Sequence, residues 1–177
     1  DVYKRQHPTT EGCLRAMQMI AALSRPSPGQ VLDMGCGSAI LAMAARRIWP
    51  SSWVMAADND PIAVRVAGAN ARLNGIAPQQ MRCVVSAGLA NILAGPLRRM
   101  ASDLVPHLAA NGWLILSGIL NEQAVGVERA YAARGLRCWA MLRIGDWTTI
   151  VMRPAAIGAM PRLWHGRQPA AMVSEEE

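Results

Sequence analysis

The sequence predicts an α/β fold, a doubly wound and mostly parallel sheet with an antiparallel edge strand. Three observations carry that reading. Short apolar runs of strand length alternate with helical stripes along the 177 residues. A Gly-x-Gly turn, Asp33-Met34-Gly35-Cys36-Gly37-Ser38, joins the first strand to its helix. The second strand ends in acid, Asp58-Asn59-Asp60-Pro61, with the proline placed at a helix start.

The first helix is expected to run to about residue 24, capped by Thr9 or Thr10, with Glu11 in its first turn and Leu14, Met17 and Ala21 on one face. Pro26, Pro28 and Gly29 end it. Residues 31–33 read as a short buried strand, and residues 40–48 as the helix after the glycine turn, stopped near Pro50. Residues 53–57 form the second strand. The next helix starts at Pro61, carries Ile62, Val66, Ala69 and Leu73 on one stripe and closes at Gly75.

Residues 81–85 read as a third strand. Leu97, Met100, Leu104 and Leu108 mark a helix interrupted at Pro106. Residues 113–117 are a strand, Asn121 can cap a helix closed by Gly135, and residues 136–143 and 148–153 flank Gly145-Asp146 as an antiparallel pair. The expected organisation is a leader over residues 1–6, a catalytic domain over 7–153, and a loose tail over 154–177, disordered by its lack of any period.

Composition narrows the class. Hydrophobic residues are 52% and charged residues 17%, and no apolar run approaches the roughly 18 residues of a membrane span. The first residues carry no secretory hydrophobic segment, so the expected compartment is the cytoplasm. The four cysteines form no CxxC pair, which points to reduced thiols and no metal site. A formal charge of +6, almost all arginine, favours acidic or nucleic-acid-rich surroundings without specifying one.

Ligands of open α/β sheets lie beyond the carboxyl ends of the strands. Gly35 and Gly37 permit close backbone approach and are expected to leave amide N–H groups at the next helix free for a ligand. Asp58 is placed to accept from both ribose hydroxyls of an adenosine; its alternative is to cap the helix at Pro61. Asp33 either orients the loop or meets a cofactor ammonium. A dinucleotide would need a third glycine, but Ile40 stands there. S-adenosylmethionine has no pyrophosphate and does not need it.

Several blocks together resemble a known family: His7-Pro8-Thr9-Thr10-Glu11, the glycine turn, Asp58-Asn59-Asp60-Pro61, Asn70-Ala71-Arg72-Leu73-Asn74-Gly75, Asn91-Ile92-Leu93-Ala94-Gly95-Pro96-Leu97, Leu116-Ser117-Gly118-Ile119-Leu120 and Asp146-Trp147-Thr148. The chain is similar to the catalytic domain of PrmA-type methyltransferases of large-subunit ribosomal protein eleven. That resemblance implies a Rossmann-like class I methyltransferase using S-adenosylmethionine on lysine and N-terminal amines of a ribosomal protein. It implies cofactor contacts at Thr10, Gly35, Asp58 and Asn91, with Asn91 also catalytic; Asp33 and Gly37 join the candidate cofactor set from the reading of the glycine turn. His7 is expected at the cofactor mouth.

Two departures from the family pattern stand out. Ala39 replaces a usual glycine and is strained if that position needs positive φ. Only residues 86–90 separate the third strand from Asn91, although joining parallel neighbours takes about a dozen residues. One central strand is therefore expected to be missing or rebuilt. An RNA or small-molecule methyltransferase, or a cofactor-binding remnant with impaired catalysis, are the alternative readings.

Overall fold

The computed structural model describes residues 8–23, 27–85 and 94–155. His7, Asn91, the leader and the tail from residue 156 lie outside the described residues.

Helix α1, Pro8–Leu23, buries Gly12, Cys13, Ala16, Met17 and Ile20, a single stripe at helical spacing. Because the helix already begins at Pro8, Thr9 and Thr10 lie inside its first turn and are not its caps. Strands β1 (Gln30–Met34), β2 (Trp53–Asp58) and β3 (Met81–Val85) pair in parallel in the order β1-β2-β3. Helix α2, Ile40–Ile48, connects the first two, and α3, Pro61–Leu73, the second and third.

Helix α3 has the expected bounds and the opposite face inward. Ala67 and Ala71 are buried, while Ile62, Val66 and Leu73 stand in solvent, Leu73 at 85% exposure. Two stripes of this helix share the 3.6 period, and the one with small side chains lets the helix approach the sheet closely. Periodicity alone cannot choose between them.

Helix α4, Ala94–Leu104, passes into a 3-10 turn, Val105–His107, at Pro106, which has no N–H to continue the ladder. Strand β4 (Leu114–Leu120), a 3-10 turn (Asn121–Gln123), α5 (Ala124–Ala132), β5 (Leu136–Ile144) and β6 (Trp147–Pro154) follow. The second sheet has the order β4-β6-β5, with β6 antiparallel to both neighbours. The reversed strand, expected at the edge, therefore occupies the middle of its sheet. The hairpin at Gly145 returns β6 into the slot between β4 and β5.

The architecture is α/β, its strands divided between two three-stranded sheets. The segment between β3 and α4, where one central strand is expected to be missing or rebuilt, lies outside the described residues. Helix α1 spans the two sheets: Ala16, Met17 and Ile20 join one apolar cluster with Val54 and Ala56 of the parallel sheet and Ala140 and Val151 of the antiparallel one. A second cluster unites Leu97 and Ala101 of α4 with Val127 and Tyr131 of α5 against Leu116, Ile119, Ile150 and Met152.

Asn121 does not cap the helix after β4. Its side chain reaches the hairpin, donating to the Gly145 carbonyl at 2.9 Å and accepting from the Thr148 hydroxyl at 2.7 Å. Gln123 takes the local role by accepting from the Leu120 N–H at 3.2 Å.

Candidate functional site

The glycine turn closes on the end of β2 through its own backbone. Gly35 and Gly37 have φ of 74° and 52°, conformations that favour glycine. The N–H groups of Gly35 and Cys36 both donate to the Ala57 carbonyl, at 2.8 and 3.0 Å. The Gly37 N–H donates to Asp58 Oδ2 at 2.9 Å, and the Asp60 N–H to Asp58 Oδ1 at 3.0 Å. Both carboxylate oxygens thus serve the backbone of the rim, each keeping a further lone pair.

The N–H groups of Gly35, Cys36, Gly37 and Ala39 all have protein acceptors. Asp58 also leaves the capping of α3 to Asp60, whose side chain accepts from the Ile62 N–H at 2.8 Å.

Asp33 orients the loop. Helix α2 has Ala39 at its N-cap position with no side-chain cap, and Asp33 Oδ2 supplies the missing acceptor to the Ala42 N–H at 3.0 Å. Burial pushes the Asp33 carboxyl up to about 6, the nearby Asp58 charge adds to this, and the Ala42 N–H opposes it. Ala39 itself sits at φ 61°, in the left-handed region, fully buried. Asn70, quoted in sequence only as part of a family block with no role of its own, donates from Nδ2 to the Ser38 carbonyl at 3.0 Å and fastens the turn to α3. Its signal was an asparagine in a helix interior, where that side chain is a poor helix former.

Burial first, then the Asp33 and Asp58 charges, push the Cys36 thiol up to about 12, away from the thiolate form a nucleophile uses. Among the described residues no cluster of His, Cys, Asp and Glu could hold a metal.

Thr10 lies half-buried in the first turn of α1. Its neighbour Thr9 accepts at its carbonyl from the Ser117 hydroxyl at 3.2 Å, and Ser117 Oγ is 3.1 Å from Thr149 Oγ1. This network ties the start of α1 to β4 and β6. Hydrogen bonds therefore unite Asp33, Gly35, Gly37 and Asp58 around one turn, Thr10 stands at the head of the bridging helix, and Asn91 falls outside the described residues.

The donor chemistry of this rim discriminates between ligands. Its side chains are the carboxylates of Asp33 and Asp58, a poor setting for phosphate and a good one for a diol and a cation. Residues 5–155 match the model of the family described as ribosomal protein L11 methyltransferase (PrmA). The chain belongs to the PrmA family.

Among PrmA relatives, the ribosomal protein L11 methyltransferase of Bradyrhizobium diazoefficiens is 41% identical over 162 residues, covering 83% of this chain and 54% of that protein. The enzyme of the same name from Geobacter sulfurreducens is 42% identical over 154 residues, covering 83% and 50%. The chain thus spans about half the length of the curated relatives it matches. A solved ribosomal protein L11 methylase from Lactobacillus delbrueckii subsp. bulgaricus superposes with a TM-score of 0.72 at 28% identity, covering 84% of this chain and 80% of that one. The tRNA methyltransferase TrmK of B. subtilis, 15% identical with a TM-score of 0.61, shares the fold. The fold is that of class I methyltransferases, and with the PrmA family it implies S-adenosylmethionine as cofactor. Among the described residues no helix is long and apolar enough to cross a membrane.

Proposed function

We propose that this chain is the catalytic part, residues 7–153, of an S-adenosylmethionine-dependent protein N-methyltransferase acting on lysine or N-terminal amines of ribosomal protein L11 in the cytoplasm. The observation that carries the reading is the Asp58 carboxylate, held at the end of β2 by the Gly37 and Asp60 N–H groups with acceptor capacity left over. Membership of the PrmA family supports the reaction and the acceptor.

Bound S-adenosylmethionine supplies an electrophilic methyl group on a sulfonium. Asp58 accepts from the ribose hydroxyls with the remaining lone pairs of its two oxygens. Gly35 and Gly37 let the cofactor approach the backbone, because a side chain at either would be strained. Asp33 keeps α2 and the turn in register, and its carboxylate would supply negative charge to a cofactor ammonium. Thr10 contributes a hydroxyl from α1. Asn91 is assigned to the acceptor: its side-chain carbonyl takes the amine's hydrogens and aims the lone pair at the methyl carbon. Alignment of this kind is the main task of the enzyme. The acceptor must arrive unprotonated, and the cationic sulfonium favours that form.

Incubation with labelled S-adenosylmethionine and ribosomal protein L11 tests the proposal. Transfer of label, lost in Asn91→Ala, is the expected result. Label passing to RNA and not to protein would overturn it in favour of the reading that the +6 charge suggests.

A further inference from the structure

The peptide between Ser38 and Ala39 is held at both ends. Its N–H, that of Ala39, donates to the Cys36 carbonyl at 2.7 Å, and its carbonyl, that of Ser38, accepts from Asn70 Nδ2 at 3.0 Å. The first bond is internal to the glycine turn. The second comes from the half-buried side chain of a residue in the C-terminal half of α3.

That peptide leads into Ala39, which among the described residues is the non-glycine with positive φ, at φ 61° and ψ 28° and with no exposed surface. Left-handed backbone crowds an alanine Cβ, so negative φ is the relaxed state. Rotation of the planar Ser38–Ala39 peptide by half a turn would reach it, since ψ of Ser38 and φ of Ala39 change together. The rotation would break both bonds and turn the Ser38 oxygen toward the Cys36 carbonyl. Asn70 opposes it with a donor that only the present orientation can use.

Helix stability does not account for this asparagine. Alanine is the better helix former at an interior position, so α3 by itself would gain from losing the amide. What the amide holds lies between two parts of the rim: the Gly37 N–H bonded to Asp58 on one side and the first turn of α2 on the other. Rotation of one peptide would displace both.

We propose that Asn70 is a positioning residue of the cofactor site, its amide clamping the Ser38–Ala39 peptide so that an alanine keeps the left-handed backbone that the turn requires. The inference rests on the reading of this rim as the S-adenosylmethionine site. Asn70 acts through the turn and touches no ligand itself.

Amide hydrogen exchange of the whole chain, followed by nuclear magnetic resonance, and calorimetric titration with S-adenosylmethionine test it together. In Asn70→Ala and Asn70→Asp the Ala39 amide should exchange about tenfold faster and cofactor affinity should fall about tenfold. Adding Ala39→Gly to Asn70→Ala should restore most of the affinity, because glycine accepts this backbone without the clamp. Asn74→Ala removes a 2.9 Å side-chain bond to the Asn70 carbonyl at the same helix end and should leave affinity as it is. Unchanged exchange at Ala39, unchanged affinity in Asn70→Ala, or no recovery on adding Ala39→Gly would overturn the proposal. Faster exchange in the variants of a parent chain that binds no cofactor would leave the clamp standing and count against the cofactor reading instead.

Discussion

Asp58 and Gly37, far apart in sequence, are joined by a 2.9 Å hydrogen bond from the glycine's N–H to the carboxylate Oδ2. That bond makes the acid at the end of β2 a structural member of the turn after β1, so shape and ligand chemistry at this rim depend on one side chain. In Asp58→Ala the Gly37 and Asp60 N–H groups both lose their acceptor, at a cost of about 1–3 kcal/mol each where they remain buried. Thermal unfolding should fall by several degrees, and affinity for S-adenosylmethionine by about tenfold or more, by calorimetry. Unchanged affinity would remove Asp58 from the cofactor site.

Asp33 gives stability a pH dependence of unusual sign. Its carboxyl titrates from 3.8 in the open chain to about 6 when folded, so the folded state binds more protons between these values. Stability is then greatest below about 4 and declines as pH rises to about 6, by an amount of order 3 kcal/mol from this group alone. Asp33→Asn retains an acceptor for the Ala42 N–H and cannot ionise. Urea unfolding at several pH values should show this decline in the parent chain and not in the variant.

Ala39 tests how strain and packing balance. Left-handed backbone costs an alanine about 1–2 kcal/mol, whereas its fully buried methyl group is worth about 0.8 kcal/mol and glycine adds about 0.5–1 kcal/mol of chain entropy. These nearly cancel, so Ala39→Gly should change stability by less than about 1 kcal/mol, which explains how the alanine is tolerated. Ala39→Val, β-branched in the same conformation and tightly enclosed, should lose about 3 kcal/mol or more in urea unfolding.

Gly12 is the close-approach point of the bridging helix. A Cβ built there collides with the Thr149 hydroxyl oxygen, the same atom that lies 3.1 Å from Ser117 Oγ. Gly12→Ala should destabilise the chain by about 1–3 kcal/mol by pushing α1 from β6. Its combination with Thr149→Ala should recover part of the loss, as read by chemical denaturation.

The short linker after β3 separates binding from turnover. The cofactor rim is built from β1, β2 and the turns they launch, which are hydrogen-bonded to one another. Asn91, by contrast, belongs to the short segment after β3, where one central strand is expected to be missing or rebuilt. Calorimetric affinity near that of a longer PrmA relative, with turnover reduced by about tenfold or more, is the expected outcome. Full turnover at normal affinity would defeat the idea.

Local chemistry made much of this legible in sequence. Residues 40–48 and 81–85 fall where periodicity and β-branched content put them, and the glycines with positive φ were visible because few other residues tolerate that backbone. The reach of Asp33 and Asp58 to the rim followed from strand-end position. Their partners did not, since a carboxylate can accept from a ligand or from a neighbouring N–H with equal chemical ease.

Sequence by itself determined the alternation of strands and helices, the glycine turn, the acidic strand end and the family blocks, because each is encoded in neighbouring residues. Tertiary structure alone decided that Ala67 and Ala71, and not Ile62 and Leu73, face the sheet, that β6 runs in the middle of its sheet, and that Asn121 serves the hairpin. Those outcomes depend on which surfaces meet across distant segments. Burial and hydrogen-bond satisfaction settle such choices only once the chain is folded.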